Sequence, residues 1–174
     1  MDAAGTSETW GRAGKRQVLV AALLALTLGL AVYVLDRAPG SAYFLPRDLS
    51  LPGTHAWFGA LGGWLPEFVH VYAFSLLTAL ILGASRGALL TSCLTWWAID
   101  SFFEIGQHPL ISPHIAAAVP AWFAGIPFLE NTAAYFAYGT FDAGDLVAIA
   151  VGALMAYLTV GVIRRKELSH VHFL

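Results

Sequence analysis

Three polar residues stand where an apolar run should exclude them. The stretch Trp96–His108 contains Asp100, Glu104 and Gln107. On a helix they lie at i, i+4 and i+7 and share one face. Two carboxylates and an amide are costly to desolvate at the end of a membrane-spanning pattern, so they are expected to face a bundle interior or a wet cavity. Neighbouring carboxylates can split their pKa values and serve as acid and base. Carboxylates with a histidine could also hold a divalent metal. Glu67 and His70 stand one helical turn apart, and Asp142 and Asp145 add two further carboxylates. The chain has no HExxH, no nucleophile-elbow serine motif, no phosphate loop and no dinucleotide fingerprint. No particular reaction or cofactor is therefore specified, and no metal site is assigned.

The elements that must position these residues are apolar helices. The chain has 174 residues, 58% hydrophobic and 11% charged, with a formal net charge of -2. Soluble domains carry roughly 25% charged residues, so the composition points to one membrane domain. Cys93, the sole cysteine, sits in an apolar run, which excludes an intrachain disulfide. Residues 1–17 read as a cytoplasmic tail, 18–163 as a single transmembrane domain and 164–174 as a second cytoplasmic tail. Val18–Leu35 is a first span without Asp, Glu, Lys or Arg. It suits a hydrocarbon core of roughly 30 Å. A cleaved signal peptide is the rival reading; the run is long for one, and Pro39 spoils the cleavage region.

Residues 36–65 break helical periodicity with Asp36, Arg37, Pro39, Pro46, Pro52 and Gly53. Within them, Ala56–Trp64 reads as a segment lying in the interface, and His55 as a solvated side chain. Phe68–Ser85 is the second span, with Pro66 suited to its first turn. Ala88–Phe103 is the third and Leu146–Ile163 the fourth. Between the last two, Pro109, Pro113, Pro120 and Pro127 each remove a backbone donor. Residues 105–129 therefore read as short helices and loop, either interfacial or re-entrant. The expected fold is an all-α polytopic membrane bundle of four transmembrane helices.

Charge sets the expected orientation. Four spans place Arg12, Lys15, Arg16, Arg86, Arg164, Arg165 and Lys166 on one side, leaving Arg37 and Arg47 on the other. The positive-inside rule makes the first side cytoplasmic, with both termini inside. Glu67, His70, Asp100, Glu104, Gln107, Asp142 and Asp145 then converge at the outer level as a candidate polar pocket. Glu104 is expected to face His70 and either Asp142 or Asp145 there. The bland alternative is a set of helix-end residues solvated by headgroups, which suits Asp142, Asp145 and Glu67 best. In the last span, Gly152 and Ala156 form a small-xxx-small face for close helix packing. His108, His114 and the His170-Val171-His172 tail read as incidental.

Three blocks resemble the VanZ-like family of bacterial membrane proteins, across roughly residues 64–160. Leu65-Pro66-Glu67-Phe68-Val69-His70 resembles its polar residue and histidine opening a helix. Phe103-Glu104-Ile105-Gly106-Gln107 is similar to its E-x-x-Q block. Gly139-Thr140-Phe141-Asp142-Ala143-Gly144-Asp145-Leu146, with Gly152 beyond, resembles its R-x-x-D-x-x-D block leading to an Asn and a Gly. Gly139 stands where that pattern has Arg, and Ile149 where it has Asn. The resemblance implies a divergent member: a bacterial inner-membrane protein with an extracytoplasmic polar site. The family's named member is linked to glycopeptide-antibiotic resistance.

Four functions fit these residues. The leading one binds an envelope lipid or cell-wall component in the outer pocket, with membrane lipids as partners. The second is an enzyme acting on such a lipid, with Glu104 or an Asp as general base and His70 as its partner. The third is a small proton-coupled carrier, disfavoured by the lack of an inverted repeat. The fourth is an assembly subunit without a pocket. No basic aromatic surface suggests nucleic acid, and the sequence leaves the oligomeric state open.

Overall fold

The computed structural model of the chain describes residues 9–38, 49, 51 and 56–171. The expectations for His55, Arg47 and His172 lie outside these. Regular structure among the described residues is helical: α1 (Arg12–Leu35), α2 (Leu61–Leu82), α3 (Arg86–Gly106), α4 (Ser112–Ala118), α5 (Thr132–Tyr138) and α6 (Ala143–Val171). Short 3₁₀ turns occupy Ala121–Phe123 and Leu129–Asn131. Three helices, α1, α2 and α6, are long and apolar enough to cross a membrane. Their outward faces carry Leu24, Ile81, Val147 and Leu154, each more than half exposed. Apolar surface on that scale suits lipid rather than water. The interior helix α2 packs against α1, α3 and α6.

The order of contacts fixes the direction of each helix. Trp10 Nε1, just before α1, donates to the Ala79 carbonyl near the end of α2 at 3.1 Å. His70 meets Asp100, and Trp96 Nε1 donates to Thr78 Oγ1 at 2.8 Å, so α2 and α3 are antiparallel. Trp64 meets Asp142 and Tyr72 meets Thr159, so α2 and α6 are parallel. The starts of α2 and α6 therefore share one end of the bundle with the finishes of α1 and α3. Arg12, Lys15, Arg16, Arg86, Arg164, Arg165 and Lys166 gather at the opposite end. The buried cluster of Val18, Ala22, Leu76, Leu89, Ala156 and Val160 seals that half.

The helices differ from the expected spans at every end but that of α1, and two of these differences bear on packing. α2 begins at Leu61, so Pro66 lies inside the helix rather than in its first turn. Proline at this position leaves the Gly62 carbonyl without its usual amide donor. Arg37 replaces the donor: its guanidinium reaches the Gly62 carbonyl at 3.1 Å and the Gly63 carbonyl at 3.2 Å. Beside it, the Asp36 carboxylate accepts the Trp57 and Phe58 amides at 2.8 Å each. Asp36 and Arg37 thus dock the end of α1 onto the start of α2. At the other end, α6 continues past Ile163 to Val171. Glu167 is part of the fold rather than a loose tail, because its Oε1 accepts the Gly14 amide at 2.8 Å. Gly14 allows that approach, since a Cβ there would collide with the carboxylate.

α2 and α6 cross at Gly152. A Cβ on Gly152 would lie 2.6 Å from the Phe68 carbonyl oxygen. Only glycine permits backbone contact this close. Ile149 and Ala156 flank it, fully buried. This crossing brings the start of α6 beside Glu67 and His70.

Candidate polar site at one end of the bundle

α2 contributes Glu67 and His70 one turn apart, both half-buried. α3 contributes Asp100, Glu104 and Gln107, with relative exposures of 6%, 4% and 9%. Values this low separate these groups from side chains solvated at a helix end. Asp100 accepts from or shares a proton with His70: Nδ1 to Oδ2 is 2.6 Å. Phe74 and Trp96 wall the imidazole, with ring centroids 4.5 Å and 5.5 Å away. A buried carboxylate and two aromatic walls fix the ring orientation and assign Nδ1 to Asp100. Nε2 is the nitrogen outside that bond.

Glu104 meets Asp142 as expected, but through the Asp142 backbone amide, and it does not pair with His70. Its Oε1 accepts the Asp142 backbone amide at 2.6 Å, while His70 is engaged by Asp100. Asp142 itself is exposed and caps α6: Oδ1 accepts the Gly144 amide at 2.7 Å, and Oδ2 accepts Trp64 Nε1 at 3.2 Å. Its side chain thus has the N-cap role that acidic residues favour. Asp145, in the first turn of α6, has a buried Oδ1 without a hydrogen-bond partner among the described residues. Glu67 lies within electrostatic range of Asp145, Asp100, His70 and Glu104. Gln107 donates from Nε2 to the Tyr135 hydroxyl at 2.7 Å.

A cavity of about 720 Å³ opens beside this cluster. Glu67, His70, Tyr33 and Tyr135 give it polar groups, and Leu30 and Phe74 are among its apolar walls. Asp100 and Gln107 do not line the cavity but bond two side chains that do, His70 and Tyr135, while Glu104 holds the Asp142 amide. Burial, and then the carboxylates of Glu67, Glu104 and Asp100, push the Tyr135 phenol above its ordinary value. The phenol therefore stays protonated. It accepts from Gln107, so its own proton is available to an acceptor.

Reading the sequence missed Tyr33, Tyr135, Trp64 and the Asp36–Arg37 pair. A tyrosine near the end of the Leu- and Val-rich α1 was a usable signal, because a buried phenol requires a polar partner. Gly139 lies against Gln107. A Cβ there would collide with its amide and lie 2.6 Å from the Tyr135 carbonyl oxygen. Gln107 thus fills space that a longer side chain at 139 would need.

His108 is outside the cluster, packed on Phe141 with Nδ1 accepting the Leu110 amide at 3.3 Å. His114 is exposed on α4. Among the described residues, no three His, Cys, Asp or Glu side chains group closely enough to hold a metal ion. No known protein family, curated protein or solved structure matches the chain.

Proposed function

We propose that this chain is a VanZ-like protein of the bacterial inner membrane that binds an envelope lipid or cell-wall component from the extracytoplasmic side. In this reading α3 is the fourth span. Its 21 residues give a length of about 31 Å, close to the roughly 30 Å hydrocarbon core. Asp100 and Glu104 lower its apolar character, and their burial against α2 and the segment before α6 removes the cost of facing lipid. The basic end is cytoplasmic by the positive-inside rule. The proline-rich segment with exposed Leu110, Trp122 and Phe128 lies in the outer interface.

The cavity beside Glu67 and His70 carries the reading. Its polar groups would contact a headgroup or sugar, and its apolar wall would accept an acyl chain. The His70–Asp100 pair favours an enzyme acting on the same lipid as the second reading. A carboxylate-oriented imidazole can act as a general base, and the Tyr135 hydroxyl can donate a hydrogen bond nearby. Native mass spectrometry of protein purified from bacterial membranes tests the binding claim. Wild type should retain an envelope-lipid adduct that His70→Ala and Glu67→Gln lose. An adduct unchanged in both folded variants, or none in wild type, would refute it.

A further inference from the structure

The opposite end of the bundle carries a second site, on the groove between α3 and α6. Arg86, Arg164 and Arg165 line a cavity of about 360 Å³ there, together with Leu158, Gly161 and Val162. The cavity does not stop at the arginines. A second hollow of about 370 Å³ continues along the same two helices, lined by Leu94, Trp97 and Leu154, and Tyr157 borders both. Its lining is almost wholly apolar. From Arg86 to Trp97 the groove runs eleven residues of α3, or about 16 Å. That is close to half of a roughly 30 Å hydrocarbon core, the depth of one leaflet.

We propose that this groove binds one anionic phospholipid from the leaflet at the basic end of the bundle. The headgroup phosphate lies among the three guanidinium groups, and an acyl chain lies between α3 and α6 as far as Trp97. Charge complementarity selects an anionic headgroup, since arginine forks match phosphate oxygens in pairs. The apolar continuation selects a lipid over a free phosphate ion, which would leave the lower half of the groove unfilled. Basic clefts between transmembrane helices are suited to anionic headgroups in general. This site is separate from the cavity beside Glu67 and does not depend on what that cavity binds.

Nanodiscs containing the full chain test the proposal through tryptophan fluorescence. The probe is phosphatidylglycerol with dibrominated acyl chains, diluted into phosphatidylcholine; dibrominated phosphatidylcholine is the control. Brominated phosphatidylglycerol should quench wild type at lower mole fraction than the control, and Trp97→Phe should abolish that preference. In the double variant Arg86→Gln/Arg165→Gln, the apparent affinity should fall about 25-fold, roughly a factor of five for each guanidinium. His70→Ala should leave it unchanged. Equal quenching by both lipids would overturn the proposal. So would full competition by inorganic phosphate, or quenching preference that survives loss of Trp97. If the double variant fails to fold, the Trp97→Phe comparison still decides the outcome.

Discussion

Glu104 shows how a buried carboxylate can hold a site without lining it. Its Oε1 receives the Asp142 amide, and Asp142 in turn caps α6 and receives the Trp64 indole. Removing the acceptor would leave a partly buried amide unpaired, at a cost of about 1–3 kcal/mol. Glu104→Ala should therefore lower the thermal unfolding temperature in detergent. Glu104→Gln retains an acceptor oxygen and should keep the fold, losing only the charge-assisted part of the bond. It should still weaken ligand binding at the Glu67 cavity, because the local charge changes. Equal melting temperatures for Glu104→Ala and wild type would show that the Asp142 amide finds water instead. Asp100 acts similarly on His70, at 2.6 Å.

At the scale of elements, the α2–α6 crossing sets the distance between the polar groups. Gly152 rests on the Phe68 carbonyl, two residues before His70, and Ile149 lies fully buried nearby. Gly152→Leu would force the helices apart, and overpacking of this kind costs about 1–3 kcal/mol. Reduced melting temperature and lower expression in membranes are the expected outcomes. Gly161→Ala is the internal comparison, because a Cβ there meets nothing within 4 Å. It should melt at or slightly above the wild-type temperature, since alanine favours helix over glycine. Matching losses in both variants would mean that the close crossing does not account for the cost of Gly152→Leu, since helix propensity favours both substitutions.

For the whole molecule, the basic residues and the polar cluster occupy opposite ends. A cytoplasmic reporter fused after Leu174 should be active, and a periplasmic reporter fused there inactive. The reverse pattern would invert the proposed orientation. Glu167 belongs to this scale as well. Its carboxylate ties the end of α6 to the start of α1 through Gly14. Glu167→Gln keeps an acceptor and should change little, as expected for a residue away from the polar site.

The sequence by itself determined that the chain is helical and membrane-like, because uninterrupted apolar runs and sparse charge leave few other solutions. The i, i+4, i+7 spacing also put Asp100, Glu104 and Gln107 on one side of α3, since helical periodicity is local. Which partner each would meet was not local. His70 pairs with Asp100 rather than Glu104 because antiparallel packing of α2 on α3 sets their register. Asp36 and Arg37 looked like loop residues. They became a dock for α2 only when the end of α1 met the carbonyl that Pro66 leaves without a donor. Tyr33 and Tyr135 are far apart in sequence and line one cavity only through the fold. Composition and periodicity record what each segment must bury. The tertiary structure decides against what it is buried, because that depends on the register and crossing of helices distant in the chain.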